Sequence, residues 1–280
     1  MLFRSGVFSL NNQTFQEVSI ETTGISAEVQ TGGVQIKVVP RDGGNTFSGN
    51  VTAFFSHPNL QGENITDQLR KRGLTAAPGL KKLVDAGSGL GGPIKRNKLW
   101  FFYAYRYSSV GQYQQGNYYN KLTGIDIDKD PAWRVYAYEP DLSRPAHTDD
   151  WYVDHSLRLT WQAAQKHKIV AAATVNDNCS CFMFLLAPQN NVLAAPEATA
   201  EHHYNPNTFP SVSWSFPATN RLLFEASASM QAFHNTTKRE PGADPDVIQV
   251  TELANNFRWG SRAVSLNTAG GNYTTLKREF

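Results

Sequence analysis

Few residues of this chain could do covalent or metal chemistry, and their spacing is unhelpful. Cys179 and Cys181, in "NDNCSCF", are its two cysteines. With His202 and His203 they would supply part of a metal site, which needs about four ligands converging in space. Adjacent histidines diverge on a strand and converge only in a loop. The expectation is therefore a local disulfide, or pairing with another segment, in an oxidising compartment. Carboxylates cluster at Asp149 and Asp150, at Glu139 with Asp141, and in "KREPGADPD" (238–246). Glycoside hydrolysis needs two carboxyls at a set separation across a cleft, and these spacings set none. Loop solvation or calcium binding suits them better than a catalytic pair does. Gly87, Gly89 and Gly92 satisfy G-x-G-x-x-G, but a dinucleotide site needs a helix after the glycines. Here Pro93, a basic turn and an aromatic run follow, which suits a bulged, twisted strand. The basic stretches "LRKR" (69–72) and "LKKLVD" (80–85) suit a solvated loop or contact with lipopolysaccharide phosphates. No catalytic residue, metal site or cofactor is expected.

The elements that must carry these residues alternate with period two. The faces are Gly49, Val51, Ala53 and Phe55; Leu99, Phe101, Tyr103, Tyr105 and Tyr107; Leu157, Leu159, Trp161 and Ala163. Further along come Ile169, Ala171, Ala173 and Val175, then Val212, Trp214 and Phe216, then Leu222, Phe224, Ala226, Ala228, Met230 and Ala232. Such runs predict half-buried strands. With a weak strand at 87–94, seven strands are expected. Short links, "KRNK", "AQKH" and "PATN", alternate with long ones of about 30, 45 and 34 residues after Ser56, Ser109 and Asn176. Compact soluble domains rarely hold several loops that long. Tight turns at one end and long loops at the other, on strands of about 9–11 residues, are the pattern of a transmembrane β-barrel. "TDQLRKRG" predicts a short helix in one loop, with Thr66 as its cap and Gly73 as its stop. The net charge of +2 gives no footprint for nucleic acid. No run of about 18 apolar residues suggests a membrane helix.

Three stretches, "TGGVQIKVVPRDGGNTFSGNVTAFF", "GSGLGGPIKRNKLWFFYAYRY" and "LSRPAHTDDWYVDHSLRLTWQA", resemble TonB-dependent outer-membrane receptors, the Oar-like subgroup in particular. The resemblance runs from about Thr22 to Glu240. Its landmarks are Gly32, Gly33, Gly43, Gly44 and Gly49, where the plug closes and the first barrel strand begins, and Gly91, Gly92, Pro93, Trp100 and Phe101, where a glycine-rich strand turns into an aromatic one.

The resemblance implies an all-β fold: a partial antiparallel transmembrane barrel of about seven strands, with short periplasmic turns and long extracellular loops. It implies a plug remnant at 8–44 and the N-terminal part of the barrel at 45–280. Residues 1–7 are set apart as an unreliable, foreign leader of a fragment. The apolar faces would meet lipid and lipopolysaccharide in the outer membrane of a Gram-negative bacterium, and the glycines would let the plug approach. The parent protein would take up a scarce or large ligand (siderophore, oligosaccharide or peptide) with the TonB system as partner. Ligand candidates are the loop aromatics Tyr113, Tyr118, Tyr119, Trp133 and Tyr138, because aromatics offer large contact area. Lumen candidates are Arg158, Glu225 and Gln231, which suit contact with the plug equally well. Trp100 and Phe102 fall on the polar face, where packing against the plug would explain them. A secreted β-sandwich that binds carbohydrate or acts as an adhesin shares the composition and the alternation. It predicts a second sheet over the apolar face.

Overall fold

A computed structural model of the 280-residue chain describes residues 11–22, 35–62, 65–72, 79–123, 136–183, 185, 193–244, 246–261 and 273–277. Gly32, Gly33, Gly73, Trp133 and the leader at 1–7 lie outside the described residues.

A 3-10 turn, Asn12–Thr14, leads into a two-stranded antiparallel ribbon of β1 (Phe15–Glu21) and β2 (Gln35–Pro40). The main sheet follows: β3 (Ser48–Ser56), β4 (Leu80–Lys95), β5 (Leu99–Asn120), β6 (Pro140–His147), β7 (Asp150–Ala164), β8 (His167–Met183), β10 (Ala200–Thr219), β11 (Leu222–Arg239) and β14 (Tyr273–Lys277). Its order is β14-β11-β10-β8-β7-β5-β4-β3, all antiparallel, with β6 beside the far end of β5. The sheet does not close: β3 and β14 are its two ends. The short strands β9 (Leu193–Ala194), β12 (Val250–Thr251) and β13 (Phe257–Trp259) form a separate small sheet. The expected helix is α1, Asp67–Lys71. Thr66 caps it with a side-chain bond to the Leu69 amide, as a Thr at that position should.

All seven expected strands are present, and the three short links are the tight turns between β4 and β5, β7 and β8, and β10 and β11. Asn97 takes the first of these turns with φ 58°, a conformation Asn tolerates better than most residues. The expected long loops are shorter than their sequence suggests. The strands run on past the apolar band, β4 to β11 being 15–22 residues long where they flank those loops. Polar residues such as "GQYQQGNYYN" extend there because antiparallel partners satisfy their backbone groups. Hydrogen bonding outweighs the composition that suggested loop. "LKKLVD" is accordingly part of β4, not a solvated loop. His202 and His203 sit on β10, where neighbouring side chains diverge, and Cys179 and Cys181 sit on β8.

Cross-strand partners fix the two faces. Leu90, Tyr103, Leu157, Ala173 and Pro210 form one row, and Gly91, Phe102, Arg158, Ala172, Ser211 and Ser229 an adjacent one on the opposite face. The first face is apolar and open: Leu90, Tyr103, Leu157, Trp161, Val175 and Val212 are each more than a third exposed. No described residues form a second sheet over it, as a sandwich would require. The other face is polar and meets the N-terminal residues. We call these the outer and inner faces.

Candidate functional site

The inner face is built as a bed for two short stretches, 11–14 and 41–43. Asn11 caps the 3-10 turn by accepting from the Gln13 amide (3.0 Å). Its Nδ2 donates to Asp154 Oδ1 at 2.6 Å, deep inside the sheet; Asp154 is fully buried. Ser156 Oγ donates to the same oxygen at 2.8 Å. Gln13 Nε2 donates to Thr52 Oγ1 at 2.7 Å, and Gln13 Oε1 accepts from Asn50 Nδ2. A Cβ on Gly87 would come within 2.9 Å of the Gln13 side chain, so that glycine leaves room for Gln13.

At the other contact, Asp42 accepts from Arg158 Nε and from Thr160 Oγ1 (2.9 Å), with Lys168 Nζ 4.0 Å away. Partial burial works to raise the Asp42 carboxyl. The bonds from Arg158 and Thr160 and the charges of Arg158 and Lys168 outweigh it and hold the group below its ordinary 3.8. Gly43 lies directly on the Phe101 backbone; a Cβ there would sit 2.1 Å from the carbonyl oxygen.

Phe102 is 5% exposed, and its ring lies across Gly89 and Gly91, whose missing side chains leave its space. The glycines let the ring lie flat against the sheet, and Gly43 approaches the same Gly91 position from the inner side. Trp100 Nε1 donates to Asn45 Oδ1 at 2.8 Å. Gly92 makes the same kind of space on the outer face for Phe47, which tilts against Phe101 with centroids 6.4 Å apart.

Of the expected ligand residues, Arg158 joins the inner network. Glu225 and Gln231 lie on β11; Glu225 is exposed, and neither enters that network. Tyr113, Tyr118 and Tyr119 are strand residues of β5, not loop residues. Tyr113 and Tyr119 both pack against His147, with centroids 6.1 and 6.2 Å away. Tyr138 packs edge-on against Phe257 at 4.7 Å and donates its hydroxyl to the Tyr118 carbonyl (3.1 Å). Burial, above all, raises that hydroxyl to about 12. The tyrosines thus hold one segment to the next.

Cys179 and Cys181 are bonded to each other. His202 bonds Thr237 and His203 bonds Glu201, at 2.8 and 3.1 Å. Among the described residues no group of three or more His, Cys, Asp or Glu is placed to hold a metal.

A cavity of about 630 Å³ opens beyond the apolar band, on the outer face. Tyr107, Ser109 and Trp151 form part of its wall, and by register they share a face with Tyr103 and Leu157. The residues around the 3-10 turn Pro196–Ala198, together with 240–243, form another part of the lining. Glu197 and Glu240 are 6% and 4% exposed there, so the "KREPGADPD" carboxylates are not all solvated. Burial raises each carboxyl to about 7, and the charge of Glu201 adds to the effect on Glu240.

The chain is 28% identical over 266 residues to the TonB-dependent transporter Oar of Myxococcus xanthus, a match that covers 89% of this chain and 24% of that protein. This chain is a relative of a TonB-dependent transporter. It spans about a quarter of that transporter's length. No protein-family profile and no solved structure matches it. Within this transporter relative, several residues that matter were not legible in the sequence. Asp42 stands inside a quoted motif, "PRDGGN", but only the sheet brings it to Arg158, 116 positions away. Asn11 and Asp154 are 143 positions apart, and no local spacing links them. Glu240 sits in a stretch of Pro, Gly and Asp that looks solvated; its burial comes from packing under a distant segment.

Proposed function

We propose that this chain is the plug-to-barrel portion of an Oar-like outer-membrane TonB-dependent transporter, which takes up a siderophore, oligosaccharide or peptide. Residues 8–44 are the end of the plug, and 45–280 the first part of the barrel wall. The open apolar face meets lipid, with lipopolysaccharide at its outer edge, and the tight turns face the periplasm. The observation that carries this reading is the division of labour between the faces. One face is apolar, uncovered and many strands wide, and the other is a polar bed holding residues 11–14 and 41–43 through Asp154, Thr52 and Arg158. In a barrel the first is what lipid requires and the second what a plug requires.

The TonB system acts on the plug. Because the contacts at Asn11, Gln13 and Asp42 are hydrogen bonds and ion pairs to Arg158 and Lys168, the plug end can leave the wall by exchanging them for water. Expressed from its full gene in a Gram-negative host, the protein is expected in the outer-membrane fraction, with faster migration on unheated gels than after boiling. Recovery in the soluble fraction without a heat-dependent shift overturns the reading.

A further inference from the structure

The three tight turns form one cationic rim. They join β4 to β5, β7 to β8 and β10 to β11, and the strand order sets these hairpins side by side at one end of the sheet. Bonds tie each to the next: the Gln162 amide donates to the Lys98 carbonyl and Lys166 Nζ to the Ala218 carbonyl, both at 2.8 Å. Asn45 steadies the first turn by accepting from the Asn97 amide at 2.8 Å. The stretches "KRNK", "AQKH" and "PATNR" carry Lys95, Arg96, Lys98, Lys166 and Arg221 and no carboxylate. All five cations are exposed, and among the described residues no carboxylate pairs with any of them. The acids nearest this end belong to the inner face: Asp42 is held by Arg158, and Glu225 lies across Ser215 from Lys168.

Next to the rim the outer face turns aromatic. The His167 ring lies 4.3 Å from Phe216 and 5.8 Å from Trp214, and Phe216 lies 6.2 Å from Phe224, all stacked. Trp214 Nε1 donates to His167 Nδ1 at 3.1 Å. Register puts Trp161 and Trp214 on either side of Ile169 in one row, and Trp161 is 43% exposed. Amphipathic rings settle where hydrocarbon gives way to headgroups, so the cations beyond them stand at the level of the phosphates.

We propose that this rim binds anionic phospholipid of the periplasmic leaflet. The phosphates meet Lys95, Arg96, Lys98, Lys166 and Arg221, and the acyl chains lie along Trp161 and Trp214. This rests on the membrane reading above and adds a headgroup preference to it. Continuity with the open apolar face and its aromatic row favours lipid over an acidic protein, which would need the cations alone. Basic side chains near an anionic bilayer surface each favour it severalfold.

Brominated lipids quench the tryptophans they touch, and Trp161 and Trp214 stand beside the rim. The intact chain is reconstituted into phosphatidylcholine vesicles that carry equal mole fractions of brominated phosphatidylglycerol or brominated phosphatidylcholine. At about 50 mM salt the quenching is expected to show phosphatidylglycerol preferred about fivefold, the factor for one cation at such a surface. The preference should shrink toward unity at about 500 mM salt, where charges are screened. The variant K95Q/R96Q/K98Q/R221Q is expected to lose it, while K71Q/R72Q/K121Q, altered at the opposite end of the sheet, keeps it. Equal quenching by the two lipids leaves the cations to an acidic periplasmic partner and overturns the proposal. A folded turn variant that keeps the preference, or equal loss in both variants, overturns it too. No quenching by brominated phosphatidylcholine overturns the membrane reading as well, so the two failures are distinct. If the turn variant does not fold, the lipid comparison and its salt dependence on the unaltered chain decide.

Discussion

Asp42 and Arg158 show how a single ion pair fastens a short stretch of chain to a wide sheet. Both side chains are partly exposed, at 36% and 26%, so solvent screens the pair and its worth is modest. Arg158→Ala leaves the carboxylate with Thr160 and the distant Lys168. It should loosen the 41–47 stretch by about 1 kcal/mol, allowing for the stronger bonds of charged groups and discounting for exposure. Asp42→Asn should act in the same direction. The two changes together should cost less than their sum, because they remove one shared interaction. Amide hydrogen exchange in the ribbon of Phe15–Glu21 and Gln35–Pro40 measures this. Non-additivity absent from that cycle contradicts the pair.

The pH dependence follows from the sign of the shift. A carboxyl held below its ordinary value stabilises the folded state above that value and loses the effect as the pH falls through the folded one. Docking of 41–47 is therefore complete at pH 7 and weakens only below 3.8. Exchange in the ribbon should be flat in its pH-corrected rates from pH 5 to 7 and accelerate below pH 4. A loosening already under way at pH 6 would point to another group.

At the scale of elements, the join between ribbon and sheet depends on backbone approach. Gly43 sits on the Phe101 backbone, which cannot give way as a flexible side chain would, whereas a Cβ on its neighbour Gly44 would meet nothing within 4 Å. Gly43→Ala should therefore cost about 1–3 kcal/mol, the range for overpacking, and expose the 40–47 stretch to protease. Gly44→Ala should leave it protected. Equal behaviour of the two would contradict the packing at Phe101.

The sheet offers a sharper test of its surroundings. Leu157 lies on the outer face, next to the inward Arg158. In a bilayer, Leu157→Arg costs about 2–4 kcal/mol near the midplane, while a water-facing site would accept it within about 0.5 kcal/mol. Urea titration of the protein refolded into lipid vesicles distinguishes the two.

At the scale of the whole molecule, the main sheet of the described residues has two unlike faces, one apolar and one polar. It ends at β3 and β14 without joining them, and an unclosed edge in hydrocarbon is costly because its amides and carbonyls have no other partner. The chain matches a stretch about a quarter the length of a longer transporter. The cavity belongs to this scale too. It exists only because the strands rise beyond the apolar band far enough for the residues around Pro196–Ala198 and 240–243 to fold against them.

Period-two patterning, three tight basic or polar turns and the aromatic run from Trp100 to Tyr107 were enough to determine the strands, their antiparallel order and the apolar face. Those features are local: a strand's two faces follow from alternation along a few residues, and a two-residue turn fixes its neighbours' pairing. The tertiary structure alone decided how far the strands run, because polar residues extend only when a partner strand takes up their backbone bonds. It alone decided where Phe102 finds cover, since that depends on two glycines of the adjoining strand. And it alone brought Asn11 to Asp154, Asp42 to Arg158, and Glu197 and Glu240 to one cavity. Side chains more than a hundred positions apart, or on separate segments between strands, meet only once the sheet has set their distances.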